Sequence, residues 1–140
     1  MEFLKEVATL EYEEWADKPE EDKEARIKRK MEKIKIKLKG KDFCKLILLD
    51  DDKLIGFISI FPQDCDECQK LSPWYATMYV KKEYRGQGYS KILNDAILKE
   101  ARKRGYKEIY LKTTLNDYYE KFGAIFVKKI SEEKIYKFEL

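Results

Sequence analysis

The chain has 140 residues, room for one domain built around one hydrophobic core. Apolar residues make up 44% and charged residues 41%, a globular composition with a heavily charged surface, and a net charge of +3 is too small to call by itself for a nucleic-acid partner. No apolar run approaches the roughly 18 residues of a membrane span, so no membrane partner is expected, and Glu2, Lys5 and Glu6 give the first residues none of the pattern of an export signal.

Cys44, Cys65 and Cys68 are the three cysteines. An odd count without an export signal implies reduced thiols and a cytoplasmic protein. There is no histidine, which removes the usual general base and the commonest metal ligand together.

Phe3–Trp15 reads as a helix, with Phe3, Leu4, Val7, Ala8, Leu10 and Tyr12 forming its apolar stripe. Pro19 suits the first turn of a second helix, and Glu20, Glu21 and Asp22 favour its positive end. Ile27, Met31, Ile34 and Leu38 follow at spacings of four, three and four. From Lys23 to Lys41 ten Lys or Arg stand against two Glu. The solvated face of an amphipathic helix is the favoured reading of that run; a nucleic-acid-binding or membrane-surface helix is the sharper one. Ile34, Ile36 and Leu38 also alternate, which leaves the end of the helix open.

Phe43–Leu49 and Leu54–Phe61 read as an antiparallel hairpin joined by Asp50-Asp51-Asp52-Lys53. Gly56 marks a bulge or a close contact, and Pro62 ends the second strand. Gln63–Pro73 is a polar loop carrying Cys65-Asp66-Glu67-Cys68. One CxxC supplies two ligands where zinc wants four, and a redox motif should open a helix. A hairpin tip with incidental thiols is therefore expected, and no metal.

Trp74–Val80 is the next strand, with Ala76, Met78 and Val80 on one face and Tyr75, Thr77 and Tyr79 on the other. Tyr84-Arg85-Gly86-Gln87-Gly88-Tyr89-Ser90 then turns into a helix, Tyr89–Arg104, whose stripe is Ile92, Leu93, Ala96, Ile97 and Ala101. Gly105 is its natural stop. Glu108–Lys112 is a short strand, parallel to Trp74–Val80 if the helix is a crossover. Asn116 or Asp117 can cap a short helix through Phe122, and Ala124–Ile130 with Lys134–Phe138 forms a final antiparallel pair.

The strand, glycine turn and helix are the chemically informative stretch. Glycines there permit backbone angles that side chains forbid and let a ligand approach the main chain. The helix start adds unpaired N–H groups and the positive end of a dipole, a site for phosphate. Arg85-Gly86-Gln87-Gly88-Tyr89-Ser90 resembles the pyrophosphate-binding turn of the GNAT N-acetyltransferase superfamily, Gln/Arg-x-x-Gly-x-Gly/Ala. Arg85 and Gly88 match, and Ser90 replaces the usual Gly or Ala. Downstream, Tyr118-Tyr119-Glu120-Lys121-Phe122-Gly123-Ala124 is similar to the family's Tyr-Glu-Lys-x-Gly-Phe segment, with Ala124 in place of the aromatic. The resemblance is specific over Trp74–Val127, plausible over Phe43–Phe61 and general before that. The family often opens with a strand, for which few residues precede Phe3.

The resemblance implies a single α/β domain over residues 1–140, a mixed twisted sheet with helices on both faces. It implies an acetyltransferase that moves an acetyl group from acetyl-coenzyme A (acetyl-CoA) to a primary amine through a tetrahedral intermediate. Backbone N–H groups of Gln87, Gly88, Tyr89 and Ser90 would take the pyrophosphate, beside Gly86, with charge from Arg85 and Lys91. Met78, Tyr79 and Val80 would offer main-chain groups to the pantetheine arm; for Asn116, contact with the same arm and capping are equal readings. Tyr119 stands where the family has the general acid for the departing thiolate. Asp64, Asp66, Glu67 or a water on Tyr79 are the candidates for deprotonating the amine. A non-catalytic acyl-CoA sensor and a nucleic-acid-binding module built on helix 23–41 are the alternatives, in a monomer or a homodimer.

Overall fold

The computed structural model describes residues 3–15 and 22–140, and the chain divides into two compact units, residues 1–43 and 44–140. Pro19, Glu20 and Glu21, expected in the first turn of the second helix, lie outside the described residues.

The first unit holds α1 (Leu4–Trp15) and α2 (Lys23–Leu38). Asp22 caps α2, its Oδ1 accepting the Ala25 N–H at 3.3 Å, which satisfies one of the orphan donors of the first turn. Leu4, Ala8 and Tyr12 of α1 bury against Ile27 and Ile34 of α2, with Met31 and Leu38 partly buried beside them. The four-three-four stripe is thus the packed face. Ile36 is 65% exposed, so the run is helical to its end and its alternation carries no strand. Lys30 reaches the buried Glu11 carboxylate at 3.4 Å, tying the helices by charge as well.

The second unit is a six-stranded sheet in the order β1-β2-β3-β4-β6-β5. The strands are β1 (Cys44–Asp50), β2 (Lys53–Phe61), β3 (Trp74–Val80), β4 (Glu108–Thr113), β5 (Ile125–Ile130) and β6 (Glu133–Glu139). Every pairing is antiparallel except β3 with β4, which α3 (Tyr89–Lys103) connects. The expected mixed sheet, hairpin and crossover are all present. Leu93, Ile97, Leu98 and Ala101 of α3 join Ile55, Ile58, Ile60, Ile109 and Leu111 in the main core. Ile92 is 49% exposed and Ala96 only half-buried, so the expected stripe is rotated: Leu98 and the polar Asn94 take the inward places. At about 100° per residue, positions 93, 94, 97, 98 and 101 share one face, and 92 and 96 flank it.

β3 departs from the simple alternation. Thr77 has φ +49°, and the register against β2 slips so that Thr77 and Met78 oppose the single residue Ile58. This bulge resets the faces. Tyr75, Met78 and Val80 all pack toward the α3 core, while Tyr79 stacks on Phe57 with centroids 5.4 Å apart. A hydrogen-bonded chain holds the strained residue: Lys45 Nζ donates to Ser59 Oγ at 2.6 Å, and Ser59 and Thr77 hydroxyls share a bond of 2.6 Å. Gly56 is the close contact, because a Cβ there would lie 2.3 Å from the Tyr79 carbonyl oxygen.

The CxxC lies in the loop that joins the antiparallel strands β2 and β3, the expected hairpin tip, but its thiols are covered. Cys65 and Cys68 are free thiols buried with Trp74, Tyr110 and Ile135, and the Cys68 N–H bonds to the Cys65 carbonyl at 3.2 Å in a 3-10 turn. Neither Asn116 nor Asp117 caps the short helix, a 3-10 turn over Tyr119–Phe122 without a side-chain cap. Asn116 Oδ1 instead accepts from Lys134 Nζ, a partner 18 residues on. No helix among the described residues is long and apolar enough to cross a membrane.

Candidate active site

From the end of β3 the chain makes a single 3-10 turn, Lys82–Tyr84, and then the glycine turn that starts α3. Gly86 and Gly88 have φ of +77° and +85°, which is why glycine stands at both. A Cβ at either would meet nothing within 4 Å. The main chain of the turn is therefore open above both glycines. Gly88 is the N-cap of α3, no side chain caps the first amides, and no acidic residue sits in the first turn.

Arg85 fastens this turn to β3. Its Nε donates to the Val80 carbonyl at 2.8 Å, and its guanidinium lies 5.4 Å from the Tyr79 ring centre. Gln87 Nε2 reaches the Glu83 carbonyl at 3.4 Å. Lys91 pairs with Asp95 at 2.7 Å, and that bond holds the Asp95 carboxyl below its usual range. The expected positive charge of Lys91 is thus shared with an acid one helical turn on.

β3 and β4 are joined by one register pair, Trp74 with Tyr110, beside a hydrogen bond from Tyr110 N–H to the Pro73 carbonyl at 3.0 Å. β4 meanwhile pairs with β6 over six residues. Past Trp74, then, β3 parts from β4, and Met78, Tyr79 and Val80 lie on the departing segment. Tyr119, on the 3-10 turn before β5, is half-buried and touches Tyr75 edge-on at 5.9 Å and Tyr118 at 4.8 Å. Burial above all, and then Tyr118, pushes its phenol up to about 12. The next residue, Glu120, accepts the Tyr136 hydroxyl at 2.8 Å.

The structure brings Tyr79, Val80, Arg85 and the glycines together, and Tyr119 against Tyr75. It leaves Asn116 exposed on Lys134. Sequence reasoning missed the bond from Tyr75 OH to Asn94 Oδ1, 2.9 Å long and fully buried. Its signal was there to find: Asn94 is a polar residue on the inward side of an apolar helix.

A family model described as the acetyltransferase (GNAT) family matches residues 2–124. The chain is similar to N-alpha-acetyltransferase 30 of Schizosaccharomyces pombe, 34% identical over 89 residues, or 60% of this chain and 59% of that protein. It thus spans less than two thirds of that relative's length. Its fold is similar to the PaiA N-acetyltransferase of Thermoplasma acidophilum in complex with coenzyme A, with a TM-score of 0.67 and 23% identity over 99% of this chain and 92% of the other. An N-acetyltransferase of Staphylococcus aureus Mu50 gives a TM-score of 0.75 at 14% identity, covering 99% and 93%. At such identities the structural likeness speaks for the fold. The family match, with both motifs inside it, speaks for more: this chain belongs to the acetyltransferase (GNAT) family.

Proposed function

We propose that the protein transfers the acetyl group of acetyl-CoA to a primary amine on a small molecule or a protein. One observation carries the reading: the open, left-handed glycine turn at the start of a 15-residue helix with no acid in its first turn. Such a turn fits a polyphosphate, since no side chain caps the first amides of the helix and nothing fills the space above the glycines. N–H groups of Gln87, Gly88, Tyr89 and Ser90 hold the pyrophosphate of the donor. Arg85 serves mainly by fixing the turn to Val80, and Lys91 contributes a charge shared with Asp95.

Met78, Tyr79 and Val80 offer main-chain groups to the amide-bearing arm of the donor, because β3 has left β4 there. An N–H of the same segment steadies the oxygen that becomes negative when the amine attacks. The C–N bond forms, the C–S bond breaks, and the amine gives up the proton that the coenzyme thiol finally carries. Tyr119 acts on the sulfur. A phenol near 12 is protonated throughout the neutral range, yet it is a weaker acid than a thiol of about 8.5. Its task is therefore to donate a hydrogen bond as charge builds on sulfur rather than to surrender its proton outright.

The match over residues 2–124 supports treating 1–140 as one transferase domain, and three free, buried thiols support a cytoplasmic setting. The test is release of free coenzyme A thiol from acetyl-CoA in the presence of a panel of primary amines, including amino-terminal peptides. Amine-dependent release supports transfer. Saturable binding with no release on any amine would replace it with an acyl-CoA sensor.

A further inference from the structure

The hydroxyl of Tyr119 has no hydrogen-bond partner among the described residues, so the rings around it set its direction. Two rings do so, and they differ in kind. Tyr118 adjoins Tyr119 in the chain, and its other contacts, Lys121 at 4.3 Å and Phe122 at 5.6 Å, lie on the same short turn. It moves when the turn moves. Tyr75 belongs to β3, is 4% exposed, and has its ring 5.5 Å from Phe138 of β6. Its hydroxyl donates to Asn94 of α3 at 2.9 Å, and Asn94 is 1% exposed. Three elements therefore hold one ring. A buried phenol O–H left without an acceptor is destabilising, which accounts for a polar residue on the inner face of α3.

We propose that Tyr75, fixed by Asn94, is the wall that aims the Tyr119 hydroxyl at the departing sulfur, so that Tyr75 and Asn94 are positioning residues for the transfer. The inference rests on the role given to Tyr119 above. Hydrogen bonds weaken steeply off line, and a misplacement of about 1 Å can cost a hundredfold in rate.

The test is a cycle of variants. Asn94→Leu alone strands the Tyr75 hydroxyl and risks the fold. The paired change Tyr75→Phe with Asn94→Leu removes both polar groups and keeps an apolar core. In the paired variant kcat should fall about tenfold while the KM for acetyl-CoA stays within about twofold. In a Tyr119→Phe background the same pair should change kcat by less than about twofold, because nothing is left to aim. An equal fractional loss in both backgrounds, or no loss in either, overturns the proposal. Tyr119→Phe alone reports separately on the role of Tyr119: full activity there sinks that role, whereas a slow Tyr119→Phe with an additive pair sinks only the positioning.

Discussion

Trp74 and Tyr110 form the one register pair between β3 and β4, their rings 5.9 Å apart, and from that pair the two strands diverge. Cys65 and Cys68 share a buried cluster with the same two rings. Beyond them the bulge at Thr77 turns Met78 and Val80 to the α3 side, Arg85 ties the end of the strand to the glycine turn, and Tyr75 backs Tyr119. The proposed site thus lies where a sheet opens, and main-chain groups are its proposed instruments.

Gly88→Glu should cripple donor binding without unfolding the protein. The new side chain has free space but sits at φ +85° and puts a negative charge at a helix start. Strain costs about 1–2 kcal/mol. The charge should weaken acetyl-CoA binding about thirtyfold or more, roughly 2 kcal/mol. Calorimetry beside a far-ultraviolet dichroism spectrum separates the two effects. Gly88→Asn, uncharged and tolerant of left-handed angles, should lose much less.

Tyr119→Phe should lower kcat about 10- to 100-fold and leave the KM for acetyl-CoA near its parent value. Because the phenol lies near 12, no loss of kcat from its ionisation should appear below about pH 10. Rates should instead rise with pH as the acceptor amine loses its proton. A steady-state pH profile of both proteins checks this.

Stability should fall as pH rises from about 10 to 12. Burial pushes Tyr119 up to about 12, and burial together with the Glu108 carboxylate does the same to Tyr110. Below about 10 neither chain state loses these protons, and the contribution is fully present. Between the two values the unfolded chain releases protons that the folded chain retains, so unfolding is favoured. Denaturant melts along this range should show a declining midpoint, with a shallower decline in Tyr119→Phe.

Gly56→Ala should destabilise far more than Gly86→Ala. At Gly56 the added carbon meets backbone, the Tyr79 oxygen at 2.3 Å and Val80 Cα at 3.2 Å. Main chain cannot swing aside, so about 2–3 kcal/mol is expected, together with weaker donor binding through the shifted β3. At Gly86 space is open and only the positive φ opposes alanine, about 1 kcal/mol. Urea melts of the two variants give the comparison.

What the residues announced locally came through. The Gly-x-Gly turn, the stop at Gly105 and the apolar runs of β1 and β2 are signals within a few residues of chain. What depended on distant partners did not. Nothing near Thr77 reveals that Ser59, 18 residues earlier, and Lys45 beyond it hold a strained bulge there. Cys65 and Cys68 look like loop residues until Trp74, Tyr110 and Ile135 cover them. Asn116 has the chemistry of a cap, but Lys134 takes its oxygen. Asn94 lies between these cases: its inward place followed from the helix period once Leu98 was counted into the stripe.

The most direct test is calorimetric titration of the protein with acetyl-CoA, beside free coenzyme A and ATP. Both coenzyme forms should bind saturably, ATP should not bind at the same concentrations, and Gly88→Glu should weaken coenzyme binding strongly. A folded protein that binds neither coenzyme form would contradict the proposed function.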